Sequence, residues 1–92
     1  MTRESMLAQI LAAIPGNDTG AQRDRLLAAM RELGNVSTFE AMRYLDCYDP
    51  RPRILELRQH FSITTVMRRQ ETESGESHRI GVYVLNPMGR PQ

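Results

Sequence analysis

Apolar positions follow a helical period up to His60 and an alternating period beyond it. Met6, Leu7, Ile10, Leu11 and Ile14 recur at spacings of one, three and four, which places them on one face of a first helix from Glu4 to Ile14. Pro15-Gly16-Asn17-Asp18 ends that helix in a turn. Thr19 and Gln22 fit a capping box for a second helix, with Leu26, Leu27, Met30 and Leu33 inward and Arg23, Asp24 and Arg31 facing water. Gly34-Asn35 is a left-handed stop. Ser37 and Glu40 form another capping box, opening a short third helix with Ala41, Met42 and Leu45 apolar and its end near Cys47-Tyr48. Asp49-Pro50 reads as an N-cap followed by proline at the first helical position. Pro52 still falls in the first turn, where its missing amide costs little. Ile54, Leu57 and Phe61 point inward from this fourth helix, with Leu55 at the edge.

The β-branched run from Ile63 to Arg69 predicts a strand. The polar segment Glu71 to His78, with Gly75 at its centre, predicts a hairpin loop, and Arg79 to Leu85 the returning strand. The expected fold class is α+β, mainly α: a three-helix core, a two-stranded β-hairpin and an extra N-terminal helix. Ile63, Ile80, Val82 and Val84 are expected to lie over the core as a lid. A chain of 92 residues makes one domain, read as an N-terminal helix and turn (1–18), a central unit (19–85) and a loose tail (86–92).

The third and fourth helices meet at a tight turn and lead straight into the hairpin, the order of a winged helix-turn-helix. The runs Val36-Ser37-Thr38-Phe39-Glu40-Ala41, Arg53-Ile54-Leu55-Glu56-Leu57-Arg58, Ile63-Thr64-Thr65 and Gly81-Val82-Tyr83-Val84-Leu85 carry a family pattern. Over roughly Thr19 to Leu85 the sequence resembles a family of small helix-turn-helix domains common in phages and prophages. That resemblance implies a winged helix-turn-helix whose recognition helix is the fourth helix, and duplex DNA as partner.

Composition narrows the chemistry. Hydrophobic residues make up 40% and charged residues 25%, a globular balance. The single cysteine, Cys47, excludes a disulfide framework, and its apolar setting predicts a buried, unreactive thiol. No apolar run approaches the roughly 18 residues of a membrane span, and no signal-peptide core follows the first methionine. The expectation is a cytoplasmic, reducing compartment. His60 and His78 lack companions at metal-ligand spacing, and no phosphate loop, catalytic elbow or paired carboxylates occur, so no cofactor, no metal and no enzyme activity are expected.

Net charge is only +1, yet all twelve basic residues are arginine. Arginine suits bidentate contact with phosphate and guanine, although a GC-rich genome also enriches it. The expected DNA-contact set is Arg51, Arg53, Glu56, Arg58, Gln59 and His60 on the recognition helix, with Arg68, Arg69 and Arg79 on the wing. Gln59 could read adenine and Glu56 could accept from cytosine. Arg68 and Arg69 point to opposite faces of their strand, so only one can join a common surface. The competing assignment is a solvated helix face. Arg53 and Arg58 would then pair with Glu40 or Asp46, Arg58 would reach back to the preceding helix, and the wing arginines would pair with Glu71, Glu73 and Glu76. Tyr48 is expected to be a half-buried ring.

A second function fits the same residues. The acidic wing loop and near-neutral charge suit a module that docks on, and can inhibit, a host or phage protein complex. For assembly, the stripe Met6, Leu7, Ile10, Leu11 and Ile14 is expected to form a two-fold dimer interface, setting two recognition helices roughly 34 Å apart. The alternative is that this helix folds back on its own core.

Overall fold

The computed structural model describes residues 1–87, so the end of the expected tail lies outside the described residues. The elements follow in the order α1 (Arg3–Ala13), α2 (Thr19–Leu33), β1 (Asn35–Ser37), α3 (Thr38–Tyr44), α4 (Pro50–Leu57), β2 (Ile63–Glu71) and β3 (Ser77–Leu85). Local chemistry sets most helix ends. The Asp18 carboxylate, rather than the Thr19 hydroxyl, caps α2 by accepting the Ala21 amide at 2.7 Å. An anion there also complements the helix dipole, which a hydroxyl does not. Gly34 closes α2 at φ 85°, a left-handed conformation that glycine adopts without strain. The capping box of α3 forms as read: Ser37 Oγ accepts the Glu40 amide at 2.9 Å and Glu40 Oε1 accepts the Ser37 amide at 3.0 Å. Asp49 caps α4, with Pro50 in its first turn.

One core joins all four helices to the sheet. Leu7 and Ile10 of α1 meet Leu26, Ala29 and Met30 of α2, Ile54 and Leu57 of α4, and Ile63 and Tyr83 of the sheet. The α1 stripe expected at a dimer interface folds back on its own core, the alternative arrangement. Leu7 and Ile10 are already buried in their own chain, Ile14 packs against the same cluster, and Met6 and Leu11 are half-buried. Arg3 holds the helix in place. Its Nε donates to Glu40 Oε2 at 2.5 Å, and its Nη2 to the Asn35 carbonyl at 2.9 Å. A stripe that finds its apolar partner within the chain needs no second copy to cover it.

The sheet has three antiparallel strands in the order β1-β3-β2. The short β1 is an addition to the expected two-stranded hairpin. Its three residues are too few for an alternation to show in the sequence, and it exists because Val36 pairs with Tyr83 and Ser37 with Val82. The hairpin is also longer than expected. Glu71 pairs with Ser77, and the loop shrinks to the residues between them, with Gly75 at φ 86°. A polar composition does not stop a ladder whose side chains all face water at the tip.

Register decides the lid. Val36, Ile63, Tyr83 and Leu85 share the face that packs on the core. Ile80, Val82 and Val84 lie on the opposite face, where Val82 is buried and Ile80 and Val84 are half-buried. Of the four expected lid residues, Ile63 therefore joins the main cluster and Val82 is buried on the far side of the sheet.

The Arg3–Glu40 contact gives the fold a pH dependence. Burial pushes the Glu40 carboxyl up, but the Arg3 guanidinium and the Ser37 amide overcome it and hold the group below its ordinary value. A depressed pKa means stability that is complete above the unfolded-state value, about 4.3, and lost as pH falls through the lower folded value. Thermal melts taken down through that window should show a steeper decline for the wild type than for Glu40→Gln. Parallel curves would remove the pair from any role in acid sensitivity.

Candidate nucleic-acid interface

The end of α3 is held from behind by Arg25, whose side chain is completely buried. Nε donates to the Leu45 carbonyl at 2.8 Å, Nη1 to the carbonyls of Ile14 and Gly16 at 2.9 and 2.7 Å, and Nη2 to Asn17 Oδ1 at 3.2 Å. One guanidinium therefore ties the α1–α2 turn to the end of α3. Sequence reading missed it, because an arginine beside an apolar stripe looks like any flank residue. Between the helices Asp46 adopts φ 51°, and the Cys47 amide returns to the Ala41 carbonyl at 3.0 Å. Cys47 is buried, donates to Gln22 Oε1 at 3.6 Å, and has its thiol pKa pushed up by that burial, consistent with an unreactive role.

At about 100° per residue, α4 presents three surfaces besides its core face. The flank toward α2 holds Arg53 and Glu56. Both Arg53 Nη2, at 3.2 Å, and Arg23 Nη1, at 2.8 Å, donate to the Glu56 carboxylate. Arg53 Nε lies 2.9 Å from the same carboxylate but off axis, and makes no hydrogen bond. Arg53 and Glu56, expected on an outward face, are thus paired with each other and with Arg23 on this flank. Neither arginine option in the sequence reading survives for Glu40, whose partner is Arg3.

The flank toward the wing holds Arg51 and Arg58. Arg51 lies in a fork on Asp49, with Nε at 2.9 Å and Nη2 at 3.0 Å from its two oxygens, and remains exposed. Arg58 reaches forward to the sheet, not back to the preceding helix. It donates to the Ile63 carbonyl at 3.0 Å and to Thr65 Oγ1 at 2.5 Å, fixing the start of β2 against α4. The outward surface consists of Pro52 and Leu55, both exposed, with Gln59 and His60 exposed in the turn just beyond the helix. Leu55, expected at an edge, is 66% exposed. Backbone amides contribute little to anion binding at this helix start. Pro50 and Pro52 have none, and the Arg51 amide donates to Asp49.

Between α4 and the wing lies a cleft of about 660 Å³. Its floor is Ile54 and Tyr83, and Arg51, Arg58 and Arg79 stand around it with Met42, Met67 and Tyr48. Tyr48 is 87% exposed, which corrects the half-buried expectation; the turn before α4 carries it clear of the core. On the wing, Arg69 sits directly across from Arg79 on the cleft-side face, while Arg68 is opposite Ile80 on the other face. None of these three forms an ion pair among the described residues. The expected pairing with wing glutamates is replaced by one long contact, Glu73 with Arg43 of α3, which draws the wing tip toward α3 and lowers the Glu73 pKa. No group of histidine, cysteine and carboxylate side chains is placed to hold a metal ion among the described residues. Among the described residues no helix is long and apolar enough to cross a membrane.

No curated protein and no solved structure matches the chain. A family model described as a winged helix-turn-helix domain matches residues 21–88, most of the sequence. It covers nearly all of α2 together with α3, α4 and the hairpin, the last three of which frame the cleft. The chain belongs to the winged helix-turn-helix domain family.

Proposed function

We propose that this protein binds duplex DNA, with α4 entering the major groove and the wing following the adjacent backbone, as a phage or prophage regulator of transcription or of DNA transactions. The observation that carries this reading is the placement of Arg69 against Arg79 beside a cleft already edged by Arg51 and Arg58. Like charges directly across a ladder repel. A phosphate strand laid along the cleft supplies the counter-charge that the chain does not. These residues position the duplex, and base edges are left to the outward face of α4.

The test is binding of random and selected duplexes by fluorescence anisotropy across a salt series. Each phosphate neutralised by arginine adds about 0.9 to the log–log salt slope. Arg79→Glu should weaken binding to all sequences and flatten the slope by one contact or more. Changing Glu71, Glu73 and Glu76 to glutamine should strengthen it, by removing negative charge near the backbone and releasing Arg43.

A protein partner is the second reading. It is favoured by the apolar side chains Met42, Tyr48 and Met67 standing exposed around the same arginines, a composition common at protein interfaces. Absence of duplex binding at about 50 mM salt, where electrostatic attraction is strong, would transfer the cleft to that reading.

A further inference from the structure

The outward surface of α4 is not the arginine-rich surface that its sequence suggests. Arg53 and Glu56 are held on the α2 flank, Arg51 lies on Asp49, and Arg58 is tied to β2. What projects at mid-helix is Leu55, 66% exposed, with Gln59 one turn beyond it. A large aliphatic side chain at the centre of such a face has nothing to offer a phosphate and no hydrogen bond for a base. In the major groove one base feature matches it: the 5-methyl group of thymine, the only aliphatic group among the base edges.

We infer that Leu55 is a specificity-determining residue that selects thymine through its 5-methyl group, an inference that rests on α4 reading duplex DNA as proposed above. Its position supports this role in two further ways. Leu55 makes no contribution to the core cluster, so its apolar surface is available for a partner. Arg51 and Arg58, four residues before it and three after, lie on the neighbouring flank, where phosphate contacts would hold the duplex and bring the groove floor against the middle of the helix. Gln59, at the same face, is suited to the N6 and N7 atoms of a neighbouring adenine. The preferred step would then combine thymine with adenine.

The experiment separates this inference from the function beneath it. Duplexes are enriched from a random pool with the full chain at low salt, and each thymine of the selected site is replaced in turn by deoxyuridine. That replacement removes one methyl group and leaves the charge and the pairing edge unchanged. At one position or more, the wild-type protein should lose about fourfold in affinity, the factor expected for unburying one methyl-sized group. Leu55→Ala should show no penalty at that position, with an unchanged salt slope because no phosphate contact is lost. Alanine is a good helix former and Leu55 is exposed, so the variant should fold; a melting curve confirms it. A selected site without thymine, no deoxyuridine penalty at any position, or the same penalty in Leu55→Ala would each overturn the role of Leu55 while leaving DNA binding intact. Failure to bind any duplex would overturn both.

Discussion

Leu57→Ala should lower the free energy of unfolding by about 2–5 kcal/mol, whereas Ser77→Ala should leave it almost unchanged. Leu57 is 6% exposed and lies in the core with Ile54, where α4 packs beside α2. Removing its branched end leaves a void that helices pinned on two sides cannot close. Arg23 and Glu56 hold one side of α4 and Arg58 the other. Ser77 is exposed in the last paired position of the wing, and no side-chain hydrogen bond depends on it. Denaturant melts of both variants check the assignment. Similar midpoints would mean that α4 is not seated in the core as described.

Arg25→Ala should cost about 3 kcal/mol, the scale of hydrogen bonds from a charged donor to buried acceptors. In a domain of this size that corresponds to a fall in melting temperature of about 4–8 °C for each kcal/mol. The Leu45 carbonyl loses its buried donor, and the Ile14 and Gly16 carbonyls lose a shared one. Arg25→Met separates packing from hydrogen bonding. It keeps an apolar stem but no donors, so it should remain nearly as unstable as the alanine variant. Arg25→Lys keeps the charge but not the fork, and cannot reach three carbonyls from different turns. A methionine variant that melts with the wild type would show that the guanidinium contacts do not hold the α3–α4 turn. Because Leu45 begins the turn that leads into α4, the proposed DNA binding predicts that affinity of the lysine variant falls even at temperatures where it is folded.

Much of the fold was legible in the sequence because its signals are local. The capping box of Ser37 and Glu40, the Asp49-Pro50 start of α4 and the shift to β-branched residues at Ile63 each involve neighbours in the chain. Such signals identify four helices and a hairpin in their correct order, and that order is the winged helix-turn-helix. The arginine content of α4 and the wing was equally visible.

What needed the tertiary structure was every question of which partner a side chain meets. The period of a helix says that Met6, Leu7, Ile10, Leu11 and Ile14 share a face, but the covering surface is set by the turn at residues 14–18 and by Arg3 on Glu40. Alternation in β3 allows either face to be the inner one. The pairing of Val36 with Tyr83 set Tyr83 and Leu85 against the main cluster and placed Ile80, Val82 and Val84 on the other face, where Val82 is the one that is buried. The same holds for charge. Arginine at positions 25, 53 and 58 reads alike in sequence, yet one is a buried brace, one shares a carboxylate with Arg23, and one fastens a strand. An arginine side chain spans enough distance to choose among several acceptors, and only the folded arrangement of carbonyls and carboxylates makes that choice. Sequence determined the elements and their order, since those depend on residues a few positions apart; the folded chain decided which arginines are engaged within it and that Leu55 stands exposed on the outer side of α4.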